Sequence, residues 1–357
     1  MRRPFEAPEP RRPAAARAGV AARLAAAPRA FAALDANLRA SLLMMLGMAG
    51  FTINDALVKS LGGALPASQV IAVRGSLLCL AFALLLGRMR RRQRRAAAAG
   101  EPDDEPPLHA RDAVRPLVLL RGTFEMVATF LFLAALVRMP FASIAALLSA
   151  MPLAVTAGAA LLLGERVGPR RWTAILVGLA GVLLIVRPGT DGFDAASLLM
   201  IGCVLLSAGR DLVTRRVPAE VPSLLVTAVS AAIIATGGTV LATVSGAWVS
   251  MAPGELARLV GAAFFVFFGM HGVVTAMRIG EVGAVAPFRY TGLVWAMLIG
   301  WLAFAEVPDG WTLAGAAVIV ATGLFTLARE RALRRAAAAR ADGGTDGEVR
   351  TSIPSAP

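Results

Sequence analysis

Ten stretches of about 20 mostly apolar residues follow one another between residues 40 and 328, and this recurrence limits the chain to a lipid environment. A hydrocarbon core about 30 Å thick is crossed by roughly 20 apolar residues in a helix, and inside it each backbone polar group must be satisfied within the protein. The expected spans are 40–61, 67–87, 117–137, 141–163, 172–187, 195–213, 221–245, 256–277, 282–305 and 311–328. Hydrophobic residues fill 57% of the 357 positions and mean hydropathy is +0.69, well above the roughly 45–50% apolar content of soluble domains. The fold class that follows is an all-α membrane protein with ten transmembrane helices. The fifth span is short, because only fifteen uncharged residues run from Trp172 to Val186 before Arg187. Either the bilayer thins there or Arg187 snorkels to the surface.

The net charge of +13 could point to nucleic acid, but its placement argues against that partner, since the arginines gather in tails and alternate loops beside the spans. With the N-terminus inside, the cytoplasmic segments hold 29 of the 36 basic residues, including Arg166, Arg170, Arg171, Arg210, Arg215, Arg216 and Arg278. The opposite side holds Arg138, Arg187 and Arg258, while Lys59, Arg74, Arg121 and Arg289 lie within spans. This asymmetry places both termini in the cytoplasm. Residues 1–39 are Ala- and Arg-rich without a long apolar core, so they read as a disordered cytoplasmic tail rather than a signal peptide. Residues 329–357 read as a second disordered cytoplasmic tail.

One segment is written twice. Leu161–Val186, LLLGERVGPRRWTAILVGLAGVLLIV, is echoed by Leu302–Leu327, LAFAEVPDGWTLAGAAVIVATGLFTL. Two sets of five spans, 40–187 and 195–328, would enter the membrane from opposite sides because five is odd, giving inverted repeats. Glu165 is followed by Arg166, Arg170 and Arg171, whereas Glu306 is followed by Val307, Pro308, Asp309 and Gly310. The positive-inside bias requires that loss of arginine in an upside-down copy. Inverted repeats are characteristic of secondary transporters, in which one repeat rocks against the other around a central site. Gly178, Gly181, Gly315 and Gly323 provide for close helix approach.

Charges within lipid cost roughly 2.5–3.5 kcal/mol each on insertion scales, so each needs a partner, water or a function. Asp55 and Lys59 are four residues apart on one span, as are Arg121 and Glu125 on another, spacings that place each pair on one helix face. Each pair suits either a structural ion pair or a substrate or coupling-ion site. Lys59, the only lysine, also lies near the end of its span, where it could reach the interface. Arg74 and Arg289 lack a partner four residues away and could meet Asp55 or Glu125 across the bundle. Unpaired cations facing a cavity favour an anionic or zwitterionic substrate. Tyr290, the only tyrosine, adjoins Arg289, and Pro287 is placed to interrupt the ninth helix. Tyr290 is equally suited to packing. His271, with Met270 and Gly272 beside it, suits packing or proton coupling, and Asp55 and Glu125 are the other coupling candidates.

The pattern Leu163-Gly164-Glu165-Arg166, Arg170-Arg171-Trp172 and Gly178 to Leu184 resembles the drug/metabolite transporter superfamily, specifically its ten-helix group with two EamA-type repeats. Asn54-Asp55-Ala56-Leu57-Val58-Lys59, Gln69 to Arg74-Gly75 and Arg121-Gly122 resemble a bacterial branch that includes S-adenosylmethionine and riboflavin importers. The resemblance implies a multi-pass protein of the bacterial cytoplasmic membrane, monomeric or homodimeric, that moves a small polar metabolite by alternating access, such a vitamin or cofactor being one candidate. Export of amino acids or drugs fits the same scaffold. The substrate-binding residues expected are Asn54, Asp55, Arg74, Arg121, Glu125, Arg289 and Tyr290, with no cofactor.

Three other classes find little support in the residues. A Walker loop needs Gly-Lys-Ser/Thr, but the sole lysine follows Val58. A membrane-embedded enzyme would need clustered catalytic groups, and the densest acidic group, Asp103, Asp104 and Glu105, sits in an Arg-rich linker beside Pro106 and Pro107. Cys79 and Cys203, both in apolar spans, and His109, in a polar loop, form no metal-ligand spacing.

Overall fold

Asp35 begins the first helix by accepting the backbone N–H of Asn37 at 2.9 Å, which satisfies one of the donors a helix start leaves free. The computed structural model describes residues 35–100, 106–165, 168–190 and 194–348. The tail before residue 35, Asp103, Asp104, Glu105, Arg166 and residues 349–357 lie outside the described residues. The helices are α1 (Ala36–Lys59), α2 (Ala67–Ala99), α3 (Pro116–Leu136), α4 (Phe141–Leu148), α5 (Met151–Leu163), α6 (Pro169–Val186), α7 (Ala196–Thr214), α8 (Ser223–Val244), α9 (Pro253–Ile279), α10 (Val282–Val285), α11 (Thr291–Phe304) and α12 (Gly310–Glu348). Prolines open several of them, Pro116, Pro169 and Pro253 standing in the first turn where a missing N–H costs nothing.

Nine of the described helical segments are long and apolar enough to cross a membrane, with α4 and α5 together forming one of them. The ninth expected span, 282–305, is broken. A 3₁₀ segment, Ala286–Tyr290, separates α10 from α11, with Pro287 in its first turn, as the proline suggested. The fourth span is interrupted as well, at Ser149 and Ala150, one residue before Met151 and Pro152 open α5.

Two helices run past the expected boundaries. α2 continues from the apolar stretch through Arg88 to Ala99, and at 1.5 Å per residue its 33 residues reach about 50 Å, longer than a hydrocarbon core. α12 continues to Glu348, so much of the expected C-terminal tail is helical; its Ala/Arg/Leu-rich stretch after residue 328 has high intrinsic helix propensity. The short fifth span forms α6, 18 residues long, and Arg187 caps it in the left-handed conformation (φ 49°) with its guanidinium on Asp309.

Helices pack in a pattern with two-fold character. α1 packs on α9 and α3 on α7, α1 on α11 and α5 on α7, while α2 meets α8, α4 meets α11 and α6 meets α12. Exchanging each of the first five spans with its counterpart five spans later returns the same set of pairs. Local geometry repeats too. α5 ends at Gly164 (φ 67°) and α11 at Ala305 (φ 53°); the next N–H, of Glu165 or Glu306, donates back to Ala159 O at 3.2 Å or Gly300 O at 3.0 Å. Apolar packing where the spans meet includes fully buried Leu147, Met200, Leu259 and Ile319. Gly181 and Gly315 bring α6 and α12 together, and Gly323 makes room for the Tyr290 ring.

Candidate functional site

Within this apolar bundle a cavity of about 260 Å³ gathers Asn54 and Asp55 from α1, Arg74 from α2, Glu125 from α3, and Ser207 and Arg210 from α7. Helix periodicity puts these side chains there: each protrudes from the inward stripe of its helix among residues such as Phe82, Phe132 and Met270. Asn54, 3% exposed, donates from Nδ2 to Asp55 Oδ1 at 2.8 Å and accepts from Arg74 Nη1 at 3.3 Å. Among the described residues, Asp55 and Arg74 form no direct ion pair; the amide of Asn54 stands between them. Both side chains line the cavity, where a polar molecule can supply further hydrogen-bond partners.

A second polar group faces the first. Glu125 accepts from Arg121 Nη1 at 2.8 Å and from Arg210 Nη1 at 3.2 Å, so one carboxylate joins α3 to α7. Arg121 also donates from Nη1 to Ser230 Oγ and from Nε to Thr214 Oγ1, the latter at 3.1 Å. Arg210 is held in addition by Asp211 Oδ1 at 2.9 Å. Three cations, Arg74, Arg121 and Arg210, thus stand against three carboxylates, Asp55, Glu125 and Asp211. A site with balanced charge can receive a polar cargo by exchanging partners rather than by stranding a charge in lipid.

The structure therefore brings together Asn54, Asp55, Arg74 and Glu125 in the cavity wall, with Arg121 bonded to Glu125 just behind it. The remaining expected site residues lie elsewhere. Arg289 is exposed, and Tyr290 packs on α12 at Gly323 with its hydroxyl buried and without a hydrogen-bond partner among the described residues. Neither residue of this 3₁₀ segment lines the cavity. His271 is exposed on α9 while its neighbour Met270 lines the cavity.

Asp55 and Lys59 do not pair. Lys59 Nζ instead meets Glu306 Oε1 at 2.6 Å and Met139 O at 2.7 Å, over the rings of Phe141 and Phe304 at 5.7 and 5.3 Å. A carboxylate, a carbonyl and two aromatic faces at the helix end outweigh an Asp55 already engaged by Asn54. Arg210, counted by sequence with the cytoplasmic arginines, is inside α7 and lines the cavity. Its signal was an arginine four residues before the end of an apolar span, beside Asp211.

Residues 38–187 match the EamA-like transporter family. The chain is 33% identical over 183 residues to the riboflavin transporter of Vibrio cholerae, a match covering 50% of this chain and 60% of that protein. It is 25% identical over 307 residues to the S-adenosylmethionine uptake transporter of Rickettsia prowazekii, covering 84% of this chain and 96% of the relative. The chain is 27% identical over 288 residues to a pseudopaline exporter of Pseudomonas aeruginosa, covering 78% of this chain and 92% of that protein. The chain thus spans less than two thirds of the length of the riboflavin transporter that it matches.

Proposed function

We propose that this chain, whose residues 38–187 match the EamA-like transporter family, is a secondary transporter of the drug/metabolite transporter superfamily which moves a small polar metabolite across the cytoplasmic membrane by alternating access. The observation that supports this most is the cavity itself: Asp55 and Arg74 bridged through Asn54, opposite Glu125 and Arg210, in the middle of an otherwise apolar bundle. Buried ionisable groups at membrane depth mark substrate and ion pathways. The wall offers a carboxylate and a guanidinium within one cavity, which suits a cargo with both donor and acceptor groups, of the kind named for the relatives.

In this reading residues 40–187 and 195–328 are two inverted five-helix repeats, with both termini in the cytoplasm. The Lys59 end of the cavity then faces outward and the Arg215 end faces inward. Asn54, Asp55, Arg74, Arg121, Glu125 and Arg210 bind cargo, and Asp55 or Glu125 takes up the coupling ion. The named functions of the relatives are transport, and the reading assigns no catalytic step.

Import is the direction favoured by the riboflavin and S-adenosylmethionine relatives. Export is the second reading, and its support is the similarity to the pseudopaline exporter along most of both chains. Uptake of labelled riboflavin and S-adenosylmethionine into right-side-out and inside-out vesicles separates them. Saturable accumulation in right-side-out vesicles supports import, and accumulation in inside-out vesicles alone supports export. Unsaturable flux in both preparations would defeat the carrier reading.

A further inference from the structure

Two ion pairs at opposite ends of the cavity are counterparts of one another. Glu306 follows the left-handed turn at the end of α11 and Glu165 follows the matching turn at the end of α5, each donating its N–H six residues back. Their cationic partners correspond as well. Lys59 is the last residue of α1, four after Asp55, and Arg215 is the C-cap of α7, four after Asp211. Beside each cation an arginine from a proline-opened helix clamps the helix end: Arg258, five residues after Pro253, donates to Ser60 O at 3.0 Å, and Arg121, five after Pro116, donates to Thr214 Oγ1 at 3.1 Å. The same latch is therefore built twice, once at each end of the cavity.

The two copies differ in engagement. Lys59 and Glu306 meet at 2.6 Å with their side chains 11% and 26% exposed, and Glu306 Oε2 also accepts the N–H of Phe141 at 2.7 Å. Arg215 and Glu165 stand at 3.4 Å with side chains 53% and 50% exposed. A shielded, hydrogen-bonded pair holds its helices together; a solvated pair holds them weakly. Asp55 lies one helical turn inside the first pair and Arg210 five residues inside the second, so one pair stands beyond each end of the cavity.

We propose that Lys59–Glu306 and Arg215–Glu165 are reciprocal latches, one tightening as the other loosens, and that this structure is the state with the Lys59 end locked. Glu306 and Glu165 are positioning residues. They do not touch cargo; they set which end of the cavity opens. The inference rests on the carrier reading of the cavity, but its test needs no substrate, so its failure would leave the uptake results standing.

The test measures distances by pulsed electron paramagnetic resonance on full-length protein in nanodiscs, in a Cys79→Ser/Cys203→Ser background. One spin-label pair at exposed Ala64 and Val307 reports the Lys59 end, and another at exposed Gly168 and Arg216 reports the Arg215 end. Glu306→Gln, which keeps size and shape, should raise the long-distance population at the Lys59 end about fivefold and shorten the distance at the other end. Glu165→Gln should shift both populations the opposite way. Glu306→Asp, which keeps a carboxylate for Lys59, should lie closer to the wild-type distribution than Glu306→Gln, and an unfolding transition near that of wild type shows that the variants are folded. Shifts in the same direction for the two Gln variants, no shift in either, or a Glu306→Asp distribution equal to that of Glu306→Gln would overturn the proposal.

Discussion

Replacing Gly315 by alanine adds one methyl group where the structure has no room for it. The new carbon would stand 2.6 Å from the carbonyl oxygen of Gly181 and 2.6 Å from Ile185 Cγ1, about 0.8 Å inside ordinary van der Waals contact. Ile185 can rotate away, but the Gly181 carbonyl belongs to the α6 backbone and can yield only if α6 and α12 separate. Overpacking of this kind costs roughly 1–3 kcal/mol. Gly87 provides the matched control, because its added methyl meets nothing within 4 Å, and there alanine should gain about 0.5–1 kcal/mol from helix propensity. Thermal unfolding in detergent should show Gly315→Ala several degrees below wild type and Gly87→Ala level with it or above. Gly181→Ala, whose methyl would lie 2.9 Å from Gly315 O, should resemble Gly315→Ala and combine with it non-additively, since both press on one contact. A Gly315→Ala transition matching that of Gly87→Ala would refute the close α6–α12 packing.

Arg74→Ala should abolish most cargo binding, at least about tenfold in affinity, while membrane insertion stays intact, as judged by ligand-induced thermal shift and by expression. Arg289→Ala, outside the cavity, should bind cargo within about twofold of wild type on the same scale; a loss equal to that of Arg74→Ala would contradict the placement of the 3₁₀ segment. Glu125→Gln should lower both binding and stability, because Arg121 and Arg210 lose their shared carboxylate; unchanged unfolding would show that Ser230, Thr214 and Asp211 suffice. At Asp309, in the loop before α12, burial pushes the carboxyl upward, but hydrogen bonds from Thr312 and Arg187 outweigh it and hold it below its ordinary 3.8. A depressed value stabilises the fold above the unfolded value, and the gain is lost as pH falls through the folded one. Asp309→Asn should thus destabilise slightly at neutral pH and match wild type under acid, read from unfolding transitions across pH.

The architecture was legible because lipid imposes one length and one hydrogen-bonding solution on every span. The expected spans end within a few residues of observed helices or run into their extensions, and Pro287 marked the break in the ninth, whereas the break in the fourth at Ser149 and Ala150 was not expected. The boundaries that failed, at Gly87 and Ala328, failed because apolarity ends where the membrane does, while helix propensity continues in Arg- and Ala-rich sequence. Site residues were less visible. A spacing of four exposes partners on one helix, which revealed Arg121–Glu125 but suggested an Asp55–Lys59 pair that the structure replaces. Lys59 and Glu306 are 247 positions apart, and Arg210 and Glu125 are 85 apart, so no local pattern announces either contact. The charge asymmetry that fixed the expected orientation also concealed Arg210 among the cytoplasmic arginines.

In the proposed carrier, cargo crosses at the cavity of Asn54, Asp55, Arg74, Glu125 and Arg210, exposed in turn to each side. Counterflow in proteoliposomes tests it most directly: vesicles loaded with unlabelled riboflavin or S-adenosylmethionine, or with any metabolite that raises the unfolding temperature, are diluted into the labelled compound. The expected result is a transient, saturable overshoot of label that disappears in Arg74→Ala. Linear uptake without overshoot for every compound that binds, or an overshoot undiminished in Arg74→Ala, would contradict it.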